Sequence, residues 1–206
     1  MKYTYRLADI IRFNFRWGLK FKGSIAEEYL KNHNSKEVNF ELLKKIVNSR
    51  KKQPEEDTIS VHLRLGDVLT LTNKIPNLLD VIKSNKLENK FSNCSLYHGS
   101  HKTGEAANHE KTLFFIDEMV KGLESLGLNV KVKSNSADED FVSLSTSLCY
   151  VPSFRGFSWL SASINPNDVY WDAQDPPNFS WLINDSFKNM IAKGYNYHIS
   201  NKNDKS

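Results

Sequence analysis

Cysteine is nearly missing from this chain: Cys94 and Cys149 are the only two in 206 residues. Two cannot build a disulfide framework, and their spacing matches no metal-ligand pattern, so both are read as buried free thiols. Long apolar runs are missing as well, since none approaches the ~20 residues that span a bilayer. The opening "MKYTYRLADIIRFNF" lacks the uninterrupted apolar centre and small-residue cleavage site of a signal peptide. The expectation is a cytoplasmic protein. Nor is there a strong excess of one charge. Twenty-eight Lys and Arg against 24 Asp and Glu leave +4, which suits an anionic ligand such as a nucleotide. A nucleic-acid binder usually concentrates far more positive charge, so no nucleic-acid partner is expected. No internal repeat is visible, and the polar tail "NKNDKS" is the one low-complexity tract.

What is present suffices for a folded unit. With 39% hydrophobic and 12% aromatic residues the chain can build a core, and its length fits one domain or a domain with an arm. In residues 11–22, "IRFNFRWGLKFK", aromatic and basic side chains alternate with period two. This reads as a half-buried strand or packing arm, with a membrane-facing basic strip as the less favoured reading. Residues 24–50 carry helical spacing, and "SRKKQPEED" at 49–57 is a charged connector. From there strands and helices alternate. "TISVHL" is a strand, "IPNLLDVIKSN" a short helix or turn, and "CSLYHGS" a second strand. "EKTLFFIDEMVKGLESLG" reads as a helix with Leu113, Ile116, Met119, Val120, Leu123 and Leu126 on one face, stopping at Gly127. "LNVKVKS", "CYVPSF" and "DVYW" are strands, and "DEDFVSLSTSL" and "FSWLSASI" helices. Trp159 is expected to pack the last of these onto the sheet. The pattern predicts an α/β fold, a Rossmann-like parallel sheet with helices on both faces, and a small N-terminal helical arm. The division is residues 1–56 for the arm and 57–206 for the main domain.

Each unexpected polar residue falls where a strand meets the next loop. The segments are His62-Leu63-Arg64-Leu65-Gly66-Asp67, then His98-Gly99-Ser100-His101-Lys102, Ser134-Asn135, and Ser153-Phe154-Arg155-Gly156-Phe157-Ser158. In parallel sheets ligands bind beyond the carboxyl ends of the strands, so these ends converge on one rim. Glycine there lets backbone N–H groups approach a phosphate, and helix N-termini add a favourable dipole.

"VHLRLGD" resembles the first motif of the fucosyltransferase superfamily, the α1,2- and α1,6-fucosyltransferases and protein O-fucosyltransferases. "DEDFVSLSTSLCYVPSFRGFSWLSASI" resembles their other nucleotide-binding region. The likeness covers residues 57–165, and it implies a reduced GT-B-like enzyme that inverts the anomeric centre without a metal. By that resemblance Arg64 binds the donor diphosphate, His62 helps hold the nucleotide, and Gly66 lets the loop turn. Asp140 is the counterpart of an aspartate that contacts guanine, and Ser158 caps its helix and donates to the β-phosphate. Gly99, Ser100, His101, Arg155, Gly156 and Phe157 complete the expected donor site. The physical chemistry points the same way, because a fixed guanidinium stabilises the negative charge that develops on a leaving diphosphate.

Two departures bear on the catalytic base. Leu65 stands where many relatives carry a second arginine, and Thr72 where some carry a carboxylate. Asp67 is then the nearest base candidate and His101 the next, although Asp67 also suits a loop cap. "DED" at 138–140 matches the spacing of a metal-binding carboxylate pair, a first-turn acidic cluster being the simpler reading. The expectation is a glycosyltransferase taking GDP-fucose or another nucleotide sugar as substrate, with a glycan or glycoconjugate acceptor and no cofactor or metal. A non-catalytic nucleotide- or glycan-binding module, and a metal-dependent transferase using Asp138 and Asp140, are the alternatives.

Overall fold

The computed structural model describes residues 24–33, 39–65, 77–99, 106–133, 135–153 and 156–170. The basic aromatic strip at 11–22 lies outside them, as do Trp171 and Trp181. In chain order the elements are α1 (Ile25–Asn32), α2 (Phe40–Arg50), β1 (Thr58–Arg64), α3 (Leu78–Ser84), a 3-10 turn (Leu87–Asn89) and β2 (Asn93–Gly99). Next come α4 (Ala106–Glu124), β3 (Asn129–Lys133), α5 (Ala137–Thr146), β4 (Cys149–Val151), α6 (Gly156–Ile164) and β5 (Asp168–Val169).

Local chemistry accounts for the helix starts. Ser24 and Asn39 cap α1 and α2 by accepting from Glu27 N–H at 3.1 Å and Leu42 N–H at 3.0 Å. At α5, Ser136 and Glu139 form a reciprocal capping box. The positive φ of Gly127, +83°, turns the chain out of α4 towards β3.

The five strands are all parallel, in the order β3-β2-β1-β4-β5. This is the α/β, Rossmann-like sheet that the alternating pattern predicts, and its strand order reverses between β1 and β4. The β1–β2 pairing runs from Thr58↔Asn93 to Arg64↔Gly99. The β1–β4 pairing stops at Val61↔Val151, where β4 ends, so β1 extends past its neighbour.

Side chains alternate across a strand, and β1 uses both faces. Ile59, Val61, Leu63 and Leu65 join Cys94, Leu96, Cys149 and Val151 in one cluster closed by α3 and α4. Cys94 and Cys149 form no disulfide and are buried there, and burial pushes the Cys94 thiol up to about 12. On the opposite face Tyr97, Tyr150 and Val169 pack with Leu144 of α5 and Ala162 of α6. Outside those helices lies a second helical layer. Ile25, Tyr29, Leu43 and Ile46 of α1 and α2 pack on Phe141, Trp159 and Leu160.

Two sequence expectations change. Leu113 is 53% exposed, because the buried stripe of α4 runs instead through Thr112, Met119 and Leu123. Trp159 is buried, but in the layer shared with α1 and α2 and not against the sheet. Among the described residues no helix is long and apolar enough to cross a membrane.

Candidate functional site

The strand order reverses between β1 and β4, and Arg64 is the last residue of β1 at that topological switch point. Its backbone N–H donates to Ser153 Oγ at 3.3 Å. Ser153 follows β4 and is 3% exposed, so this hydrogen bond ties the two strand ends where the ladder has stopped. Arg64 itself is half-buried. Gly99 closes β2 as the register partner of Arg64, and α6 opens at Gly156 on the other side. Three expected segments therefore meet at one rim of the sheet. Gly66, Asp67, Thr72, Ser100, His101 and Arg155 lie outside the described residues.

His62 and Ser158 come together, though not as open ligand groups. His62 Nδ1 and Ser158 Oγ share a hydrogen bond of 2.6 Å, with the two residues 3% and 0% exposed. The His62 ring also meets Phe157 at 5.2 Å between centroids, and Phe157 meets Phe141 edge-on at 5.6 Å. Tyr150 continues the network, its hydroxyl 3.0 Å from Ser161 Oγ. These contacts fix α6 onto the sheet beside the end of β1. Leu65, where the resemblance expects arginine, is 1% exposed and completes the apolar stripe of β1.

Asp140 sits in the first turn of α5, over the β2–β3 side. It is 8% exposed, and its Oδ1 accepts from Asn135 Nδ2 at 2.9 Å. Burial raises its carboxyl to about 6, with the Asn135 hydrogen bond opposing that shift. Asp138 engages different groups: its Oδ2 accepts from Ile25 N–H at 2.8 Å and lies 3.5 Å from Arg50 Nη1. The two carboxylates of "DED" thus bond separate partners, one docking α1 and α2 and the other turned to the sheet side. Position i and i+2 on a helix do not share a face.

Sequence reasoning missed Glu55. Taken as part of a charged connector, it accepts from Ser95 Oγ at 2.5 Å and pairs with Lys133 Nζ at 2.8 Å. The Lys133 and Ser95 contacts hold its carboxyl below the usual range. His98 is a second omission from the expected site, a half-buried imidazole one residue before Gly99 whose buried Nδ1 has no hydrogen-bond partner among the described residues. Desolvation lowers its pKa, so the ring is neutral at physiological pH. Its signal was the run His98-Gly99-Ser100-His101 at a strand end. Comparison of the chain with family models, with curated proteins and with solved structures finds no match to any of them.

Proposed function

We propose that the chain binds a nucleoside-diphosphate sugar, GDP-fucose foremost, at the switch point between β1 and β4 and transfers the sugar to a glycan or glycoconjugate hydroxyl. The reaction is a fucosyltransferase-type single displacement. The acceptor oxygen gives up its proton to a base, Asp67 or His101, and attacks the anomeric carbon. The bond from that carbon to the β-phosphate oxygen breaks and GDP leaves with the electron pair, so the centre inverts. Arg64 neutralises the leaving diphosphate, with Arg155, Gly156 and the backbone donors of the first turn of α6 supporting it. Asp140 takes the N–H edge of guanine. The donor is a substrate, and neither cofactor nor metal takes part.

The observation that supports this reading most is a cation on the last residue of the central strand, beside the point where a parallel sheet reverses its order. Its test is a thermal-shift panel of GDP, UDP, CDP and ADP sugars. Ligand at 100 times its Kd is expected to stabilise the fold by about 2.7 kcal/mol, with GDP-fucose giving the largest shift and Arg64→Ala abolishing it. GDP release is then followed with an acceptor panel, in the presence and absence of EDTA. No shift from any nucleotide sugar would end the proposal.

The His62–Ser158 pair favours a second reading, a module that binds the nucleotide without turnover, because two polar groups expected at the ligand are engaged with each other. Tight GDP binding with no release under any acceptor selects it.

A further inference from the structure

A cleft of about 340 Å³ lies on the polar face of the sheet, between the segment leading into β1 and helix α5. We infer that this cleft is a second binding site, fitted to a neutral polyhydroxylated molecule such as one hexose unit of a glycan. Ser60 and Tyr97 form its floor, Val142 and Ser143 one wall, and Gln53 and Pro54 the other. The volume falls in the small-ligand range of ~300–1,000 Å³.

Charge decides against an anion. The cations Arg50, Lys52 and Lys133 on the lining are matched by the carboxylates Glu55, Asp138 and Glu139. Arg50 is paired with Glu28 at 2.6 Å and with Asp138 at 3.5 Å, and Lys133 with Glu55 at 2.8 Å. A diphosphate would have to break those pairs to find a counter-charge. A hydrocarbon ligand is disfavoured too, because it would bury hydroxyls and ion pairs with nothing returned to them. A sugar ring suits both constraints, its hydroxyls exchanging water for the polar rim over a floor that the buried Tyr97 closes. The side chains of Ser60 and Gln53 line the cleft, and their hydroxyl and amide groups suit such an exchange.

The cleft lies away from Arg64, and it borders Asp140 through its lining residue Asn135, which donates to that carboxylate. Ser60 is four residues before Arg64 on β1, a separation of roughly 13 Å at ~3.3 Å per residue. The buried His62, covered by Phe157 and Ser158, stands between them. The inference goes beyond that reading and does not depend on it.

The test is saturation-transfer NMR of the full chain with glucose, galactose, mannose and N-acetylglucosamine, with and without GDP. At least one is expected to bind with millimolar Kd, undisturbed by GDP and by Arg64→Ala. Ser143→Trp, which fills the cleft, is expected to weaken that binding by at least about tenfold, and Ser60→Ala by about threefold to tenfold, the worth of one hydrogen bond. Should Ser143→Trp fail to fold, Ser60→Ala alone decides. The inference is overturned if no saccharide binds, if binding withstands the substitutions, or if GDP displaces the sugar. A GDP affinity that falls in Ser143→Trp also overturns it, by giving the cleft to the nucleotide. Absence of any nucleotide-sugar binding would remove the transferase reading and leave this result untouched.

Discussion

Along β1, Ile59, Val61 and Leu63 turn to one side of the sheet, and Ser60, His62 and Arg64 to the other. Both sides are covered by helices, and the strand is buried along its length until Arg64. The apolar side is continuous with α3 and α4 and is filled by packed side chains. The polar side is stitched by named hydrogen bonds: His62 to Ser158, Glu55 to Ser95, and the Tyr150 hydroxyl to Ser161. One face is therefore governed by volume and the other by the pairing of specific atoms. A side chain removed from the first leaves a cavity, whereas one removed from the second strands a polar partner.

The largest effect is expected on the apolar face. Leu63 is fully buried, and Leu63→Ala is expected to cost about 2–5 kcal/mol in urea unfolding, the transfer term plus the cavity left behind. A smaller cost than the polar-face substitutions give would erase the distinction between the faces.

His62→Leu keeps most of the volume but leaves Ser158 Oγ buried without its partner. The expected loss is about 1–3 kcal/mol. Adding Ser158→Ala should recover much of it, because removing both halves of a buried hydrogen bond is nearly neutral. Additive costs in this double-mutant cycle would mean that the 2.6 Å contact contributes nothing.

Most of the architecture could be read from the chain because it is written in local patterns. Period two in "TISVHLR", the capping pair Ser136 and Glu139 and the glycine at 127 each act within a few residues. The partners on the polar face are not local. Ser158 reaches His62 across 96 residues, Asp138 reaches Ile25 across 113, and Glu55 reaches Lys133 across 78. Period two announces that His62 and Leu63 face opposite ways, but not that α6 will cover His62. For the same reason "DED" offered a metal pair, although Asp138 serves to dock the N-terminal helices. Leu113 failed differently: the polar Thr112 beside it takes the buried position, so apolar periodicity alone drew the face too wide.

Asp140 gives the polar face a pH signature. Its carboxyl is raised from 3.8 to about 6 by burial, so the folded state holds a proton that the unfolded state has released. Stability from this group is therefore full below about pH 4 and declines as pH rises through about 6. Asp140→Asn keeps the acceptor for Asn135 and removes the buried charge. It is expected to raise stability at pH 7.5 by about 1–2 kcal/mol and to flatten this part of the pH profile. Guanine binding through Asp140 predicts the opposite trend in affinity, since the ionised carboxylate is the better acceptor for N–H groups. GDP affinity that rises between pH 5 and 7 in the native chain, and is lost in the variant, would separate the binding role from the structural cost.

Ser153→Ala is the smallest change and the one that divides the faces most sharply. The substitution removes the acceptor for Arg64 N–H at the place where the β1–β4 ladder has ended. That hydrogen bond is long at 3.3 Å, so the expected loss of stability is only about 0.5–1.5 kcal/mol. Its position gives it leverage that its strength does not. Without it the backbone that carries the Arg64 guanidinium loses its tie to the segment after β4. GDP affinity is then expected to fall about fivefold, or roughly 1 kcal/mol, while Leu63→Ala, several times more costly to the fold, leaves the affinity of the folded fraction unchanged. Equal GDP affinity in Ser153→Ala and the native chain would mean that the switch point does not position Arg64 for a ligand. The polar face would then be a core whose hydrogen bonds merely replace packing.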